Sequence, residues 1–267
     1  MPDSDSITIL ALGDVIGKPG RKALATTLPS LVEETKAEFV VVNGENASGG
    51  LGLRPKEADE LLAAGATVLT TGNHIWRHKE IRSYLNDSDR VVRPANYPWQ
   101  APGHGWCIAS SSSGVEVGVL NLQGLLFMDA LDCPFTVAQR VVEEIRRKTK
   151  VILVDFHAEA TSEKRALGHH LDGKVSAVFG THTHIPTADA EVLPGGTGYL
   201  TDLGMCGPTD SVIGIRKEPA IERFITKLPT PFQVASGRIR LQGVIIRVDT
   251  STGGCLEIEQ RTWKVED

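Results

Sequence analysis

The chain has 267 residues, of which 41% are hydrophobic and 23% charged, with a formal net charge of -5. This is the composition of a globular protein long enough for a large core, and it carries no polybasic footprint for holding long nucleic acids by charge. Cys107, Cys133, Cys206 and Cys255 form no C-x-x-C pair and read as reduced thiols. The acidic, polar start lacks the basic and apolar regions of a signal peptide, and no apolar run approaches the roughly 20 residues of a membrane helix. The expected location is the cytoplasm, with no membrane partner.

Residues 1–6 are expected to be a disordered tail. The apolar run 7–13 predicts a buried parallel strand, and a turn at 17–20 leads into helix 21–36, which Pro29 should break or restart. Strand 39–42 opens into a Gly-rich loop over 43–55. Helix 56–64 stops at Gly65, and strand 67–71 is followed by helix 78–85. Residues 106–110 and 115–122 read as a hairpin around a Ser-rich turn. Helix 137–148 precedes strands 151–155 and 175–179, which bracket helix 162–171. A strand at 198–203, a possible cap at 216–225 and antiparallel runs at 232–234, 238–248 and 256–263 complete the chain. The βαβαβ start followed by hairpins predicts one α/β domain over 1–267, with two packed sheets and helices outside.

Polar residues recur where strands end, which is where open α/β sheets place ligands. The first strand ends in Gly13-Asp14, the second in Asn43-Gly44-Glu45-Asn46 and the third in Thr71-Gly72-Asn73-His74. His157 follows the fourth. Gly180-Thr181-His182-Thr183-His184 follows the fifth, and alternate positions of an extended chain would send both imidazoles to one side. Each block has a plainer reading as a turn or cap. The Gly13, Gly17 and Gly20 spacing fits neither G-x-G-x-x-G nor a P-loop, and His74 with His78 lacks the Glu of H-E-x-x-H. His157-Ala158-Glu159 lacks the P-C-x-x-C of zinc deaminases. Glu159 reads as supporting or exposed, and His104, His169 and His170 as structural or surface residues. Taken together, Asp14, Glu45, Asn46, Asn73, His157, His182 and His184 exceed the four ligands of a tetrahedral zinc site. They suit two ions that share Glu45, and a nitrogen and oxygen set without thiolate favours iron, manganese, zinc or cobalt.

These blocks resemble those of the calcineurin-like metallophosphoesterases. Two departures stand out: Ile16 lies where that superfamily usually has His, and Glu45 where it usually has Asp. Both are similar to the bacterial YmdB-like phosphodiesterases acting on 2′,3′-cyclic nucleotides, as are residues 155–164, 180–186 and 201–205. The resemblance spans Gly13 to the last strands. It implies a four-layer metallophosphoesterase-type α/β sandwich, two mixed β-sheets flanked by helices. It also implies a first metal held by Asp14, Glu45, Asn46 and His184, and a second by Glu45, Asn73, His157 and His182. The ions would be iron, with manganese able to substitute and zinc less favoured. The implied reaction is hydrolysis of a small phosphate diester such as 2′,3′-cAMP by a hydroxide shared between the ions, with His74 as proton donor. The alternatives are a phosphomonoesterase, or a non-catalytic regulatory or RNA-binding protein. The expected partner is a small phosphate ester, without a stable nucleic-acid complex, and a homo-oligomer is possible.

Overall fold

In the computed structural model, which describes residues 5–265, the first apolar run forms β1 (Ser6–Leu12), and a short β2 (Asp14–Val15) follows it. Ser6 therefore belongs to a strand rather than to the expected tail, whose residues 1–4 lie outside the described residues. Then come α1 (Gly17–Thr35), β3 (Phe39–Asn43), α2 (Pro55–Ala63), β4 (Val68–Thr70), a single 3-10 turn (Ile75–Arg77) and α3 (Ile81–Asp87). The hairpin β5 (Trp106–Ser110) and β6 (Glu116–Gln123) precedes α4 (Pro134–Arg146), β7 (Val151–His157), α5 (Thr161–Leu171) and β8 (Ala177–Thr181). The chain continues through β9 (Glu191–Val192), β10 (Gly198–Leu200), β11 (Met205–Pro208), α6 (Lys217–Thr226), β12 (Ile239–Asp249) and β13 (Cys255–Lys264).

Two mixed sheets face each other. The seven-stranded sheet runs β2-β11-β12-β1-β3-β4 with β13 on β12, and the six-stranded sheet runs β5-β6-β7-β8-β10-β9. In the first sheet β1, β3 and β4 are mutually parallel, as are β6, β7, β8 and β10 in the second. Helices cover the outer face of each sheet, which gives three cores between four layers. Leu24, Leu28 and Leu31 of α1 pack with Leu10, Leu12, Val40 and Val42 on one outside. Val141, Ile145 and Leu167 pack with Ile152, Val154 and Phe156 on the other. The middle core holds the alternate residues of the same strands, including Ile7, Ile9, Phe39, Val41, Val68, Val151, Leu153, Ala177 and Phe179. A strand buried on both faces reads as a continuous apolar run, as β1 and β7 do.

Pro29 does not break α1, which continues through it to Thr35. Pro29 is exposed. The carbonyl that loses its partner belongs to Ala25, also exposed, so water can satisfy it, while the buried leucines hold the helix across the defect. Residues 232–234 do not form a strand; Val234 makes only an isolated bridge to Ile215.

Candidate metal centre

The site is the polar continuation of the middle core. Period-2 rows that begin apolar end polar: Phe39-Val41-Asn43, Val68-Thr70, Val151-Leu153-Asp155-His157 and Ala177-Phe179-Thr181. Each polar end therefore points between the sheets at the carboxyl edge of its strand. Asp155 gathers them. Thr181 Oγ1 donates to Asp155 Oδ1 at 2.7 Å, Asn43 Nδ2 donates to Asp155 Oδ2 at 3.1 Å, and the Thr70 hydroxyl donates to the same oxygen. Burial pushes the Asp155 carboxyl up to about 6, against the pull of these donors and of His157.

That network fixes His157. The single Thr181 hydroxyl proton goes to Asp155, so Thr181 Oγ1 must accept from His157 Nδ1, 2.8 Å away. The proton of neutral His157 then sits on Nδ1 and leaves Nε2 as a bare lone pair. Facing Nε2 are Asn73 Oδ1 at 3.0 Å, Glu45 Oε1 at 3.1 Å and His182 Nδ1 at 3.1 Å. Lone pairs converging at such distances in a buried place call for a cation between them. One ligand atom each from Glu45, His157 and His182 lie within 4.8 Å of one another. Gly72 makes room for the cluster: a Cβ there would run into both the His157 ring and Glu45 Oε2.

A second group adjoins the first through Glu45. Asn46 Nδ2 lies 3.4 Å from Glu45 Oε1, 3.3 Å from Asp14 Oδ1 and 3.1 Å from His184 Nε2, and His184 Nε2 is 3.6 Å from Asp14 Oδ1. His184 Nδ1 donates to the Ile213 carbonyl at 2.9 Å, which again directs the other nitrogen inward. The side chains that could hold one ion are thus Asp14, Asn46 and His184, and those for another are Asn73, His157 and His182, with Glu45 touching both sets. Asn46 differs from expectation in orientation: its amide nitrogen, not its carbonyl, faces Asp14 and His184, while Oδ1 is 3.2 Å from His74 Nδ1. Donation toward a carboxylate and a bare imidazole nitrogen favours this orientation, and a half-turn of the amide offers the oxygen to a cation instead.

His182 and His184 reach the cluster by a route other than strand alternation. β8 ends at Thr181, and the two histidines adopt φ of 98° and 63° in the turn beyond it. Such backbone is costly for a side-chain-bearing residue and persists where surroundings impose it. A buried ion pair does so here. Lys164 Nζ donates to Asp202 Oδ2 at 2.6 Å and to the Thr181 carbonyl at 2.8 Å, and Asp202 also accepts from Thr183 N at 3.2 Å. Asp14 Oδ2 takes His182 N at 3.0 Å.

The electrostatics fit the same reading. Burial would raise the carboxyls of Asp14 and Glu45, but facing imidazoles, His184 for Asp14 and His157 for Glu45, outweigh it and lower both, Glu45 well below the usual range. Burial disfavours a proton on His157 and His184, yet the carboxylates reverse this, raising His157 and taking His184 to about 9. His182 goes the other way, to about 3, through burial and its neighbour His157. The pocket stabilises positive charge between Asp14, Glu45 and the rings of His157 and His184.

His74 stands at the mouth. Its backbone N–H donates to Glu45 Oε2 at 3.1 Å, its Nδ1 is 3.1 Å from Glu45 Oε1, and its side chain is 35% exposed, enough to meet a substrate. Glu159 Oε2 lies 3.1 Å from His182 Nε2, a supporting contact. His104 lies in a separate cleft, and His78 Nε2 is bound to the Leu51 carbonyl at 3.0 Å. Every sequence-predicted ligand thus falls in one cluster with His74. The reading missed Asp155, Thr181, Lys164, Asp202 and Ile213 as supports. The polar ends of the period-2 rows were the available signal for Asp155 and Thr181. The cavity above the cluster holds about 770 Å³ and is also lined by Ile16, Arg77, Ile213, Arg223 and Phe232.

Known proteins are similar to this chain over most of its length. The model of a family described as YmdB-like protein matches residues 10–261. The chain is 46% identical over 252 residues to a 2′,3′-cyclic-nucleotide 2′-phosphodiesterase of Bacillus subtilis, covering 94% of this chain and 95% of that one. A crystal structure of a hypothetical protein from Thermus thermophilus superposes with a TM-score of 0.89 at 41% identity, covering 97% of this chain and 100% of that chain. A Mycoplasma pneumoniae structure described as a novel phosphatase superposes with a TM-score of 0.91 at 35% identity, covering 98% and 95%.

Proposed function

The chain belongs to the YmdB-like protein family, and from that premise we propose that it is a dinuclear metal-dependent phosphodiesterase acting on 2′,3′-cyclic nucleotides. The observation that carries this reading is Glu45. It is fully buried, and its Oε1 lies within 3.4 Å of Asn46 Nδ2 in one donor group and 3.1 Å of His157 Nε2 in the other. A carboxylate at the junction of two donor groups is what a bridged ion pair requires. Asp14, Asn46 and His184 would complete one position, and Asn73, His157 and His182 the other. The donors are nitrogen and oxygen only, which suits iron, with manganese as a substitute. The named relative supports a cyclic diester as the substrate.

When bound, the ions would supply Lewis-acid activation of water and neutralisation of phosphoryl charge. The chain's own residues do the rest. Thr181 and Ile213 hold protons on Nδ1 of His157 and His184, so both rings present Nε2. Glu45 Oε1 and Asn46 Oδ1 both accept from Nδ1 of His74, so Nδ1 keeps its proton. It is the doubly protonated ring that hands its Nε2 proton to the departing ribose oxygen and is left neutral, with the proton on Nδ1. The half-buried His182 and His184 and the apolar wall of Ile16 and Ile213 limit water around the reacting phosphate.

The Mycoplasma pneumoniae match described as a phosphatase favours a second reading, monoester hydrolysis, in which the same cluster would serve. Protein purified without chelator, analysed for metals and assayed on 2′,3′-cAMP beside 3′-AMP, separates them. Two transition-metal ions per chain and turnover of the diester are expected. Turnover of the monoester alone would overturn the diesterase reading, and full diester turnover by metal-free protein would overturn the metal reading.

A further inference from the structure

The cavity is larger than a phosphoryl group needs. At about 770 Å³ it falls within the span of small-molecule sites, roughly 300–1,000 Å³. One side is the donor cluster. The cavity also has an apolar and cationic lining, made by Ile213, Ile215, Arg223 of α6 and Phe232.

We infer that Phe232, flanked by Arg223, is the platform on which the nucleobase of the substrate stacks; this rests on the reading of the cluster as a cyclic-nucleotide centre. Phe232 is 55% exposed as a residue although it borders the cavity, and the Arg223 guanidinium lies 5.3 Å from its ring centroid. One face is occupied by a cation and the rest of the ring remains available to a second flat group.

The platform is fixed relative to the cluster. Arg216 N donates to the Gln233 carbonyl and Ala235 N to the Gly214 carbonyl, each at 2.9 Å, and Val234 bridges Ile215. Val234 is seated over Gly17 and Gly50, where an added Cβ would meet its methyl at 3.1 Å and 2.9 Å. Gly17 N in turn donates to the Asn46 carbonyl at 2.9 Å. On the other side of the same loop, Ile213 holds His184 through its carbonyl. Ile213 does so at a φ of 47°, backbone that a β-branched residue adopts only when held there. The segments that carry the stacking surface are thus hydrogen-bonded to one candidate ligand, His184, and packed through Val234 and Gly17 against the segment of another, Asn46, so base and phosphate are held at a set separation.

Stacking reads the flat face of a base rather than its edge, and it is tolerant of base identity. The platform therefore selects nucleotides over other phosphate esters and favours purines by stacking strength, without distinguishing adenine from guanine.

The test titrates metal-loaded protein with 3′-AMP and with methyl riboside 3-phosphate, which lacks the base, by calorimetry. Wild type is expected to bind the nucleotide about tenfold more tightly. Phe232→Ala and Phe232→Leu, the second keeping apolar bulk without a flat face, should erase most of that gap and raise the KM for 2′,3′-cAMP about tenfold, while Phe232→Tyr preserves both. Phe127→Ala, which removes an aromatic 90% exposed outside the cavity, is the control and should leave the gap unchanged. A gap that survives in Phe232→Leu, or no gap in wild type, overturns the platform. A normal gap without diester turnover leaves the platform standing and sinks the diesterase reading instead.

Discussion

Replacing Thr181 with valine removes one hydroxyl that never faces substrate, and it should nonetheless strip metal from the centre. The hydroxyl accepts from His157 Nδ1 at 2.8 Å and donates to Asp155 Oδ1 at 2.7 Å. Valine keeps the shape but leaves both groups facing a methyl, and nothing then reserves the His157 proton for Nδ1. Outer partners of this kind are worth about 10–100-fold in metal affinity, or about 1.4–2.8 kcal/mol. Leaving two buried polar groups unpaired costs roughly 1–3 kcal/mol each, tempered here because Asp155 keeps Thr70 and Asn43, so about 2–4 kcal/mol of folding stability should go as well. Thr181→Ser retains both bonds and should stay near wild type in each respect. Competitive manganese titration gives the affinity, urea unfolding of the metal-free proteins gives the stability, and nitrogen-15 NMR of the imidazoles reports the tautomer directly. A Thr181→Val protein with wild-type manganese affinity and His157 still protonated on Nδ1 would refute the relay.

His74→Ala should retain both metals by elemental analysis while kcat for 2′,3′-cAMP falls by about 10²–10⁴-fold; full turnover would remove His74 from the proton step. Gly72→Ala puts a methyl into His157 and Glu45 and should lower metal occupancy together with roughly 1–3 kcal/mol of stability in urea, and unchanged occupancy would show that the cluster can yield. Among the thiols, hydrogen bonds from Thr136 hold the exposed Cys133 below the ordinary thiol range, whereas burial raises Cys107 and Cys206 to about 12 and Cys255 to about 11. A disulfide reagent should therefore modify Cys133 alone in the native protein, with a rate that climbs as pH rises and levels off below the pKa of a free cysteine. A second thiol reacting as fast would contradict that burial.

The strands that carry the cluster were legible because their apolar rows are long and turn polar at the carboxyl end, as in Val151-Leu153-Asp155-His157. The short pieces were not. β2, β9 and β11 exist because a neighbour offers hydrogen bonds, as Met205 and Cys206 pair with Asp14 and Val15, and two to four residues carry no period to read. Pro29 misled because its local cost is outweighed by the buried Leu24, Leu28 and Leu31 of the same helix, an energy that belongs to the packed helix. Strand alternation predicts that His182 and His184 converge, and they do, but from a turn of positive φ rather than from extended backbone. Their positive φ depends on Lys164 and Asp202, which come from distant parts of the chain and meet only when folded. The Ile213 carbonyl is a backbone atom, and no side-chain pattern announces it.

The candidate ligands are divided between the two halves of the sandwich. Asp14, Glu45, Asn46 and Asn73 follow strands of the first sheet, and His157, His182 and His184 belong to the second, so ions seated among them would act as rivets across the seam. Any ligand that binds the folded state alone adds stability by mass action, about 4 kcal/mol at a thousandfold excess over its dissociation constant. Such a protein would keep its own inventory: in a cell starved of the ion its halves would part more often and proteases would clear it, so the number of molecules would follow the supply of the element they use.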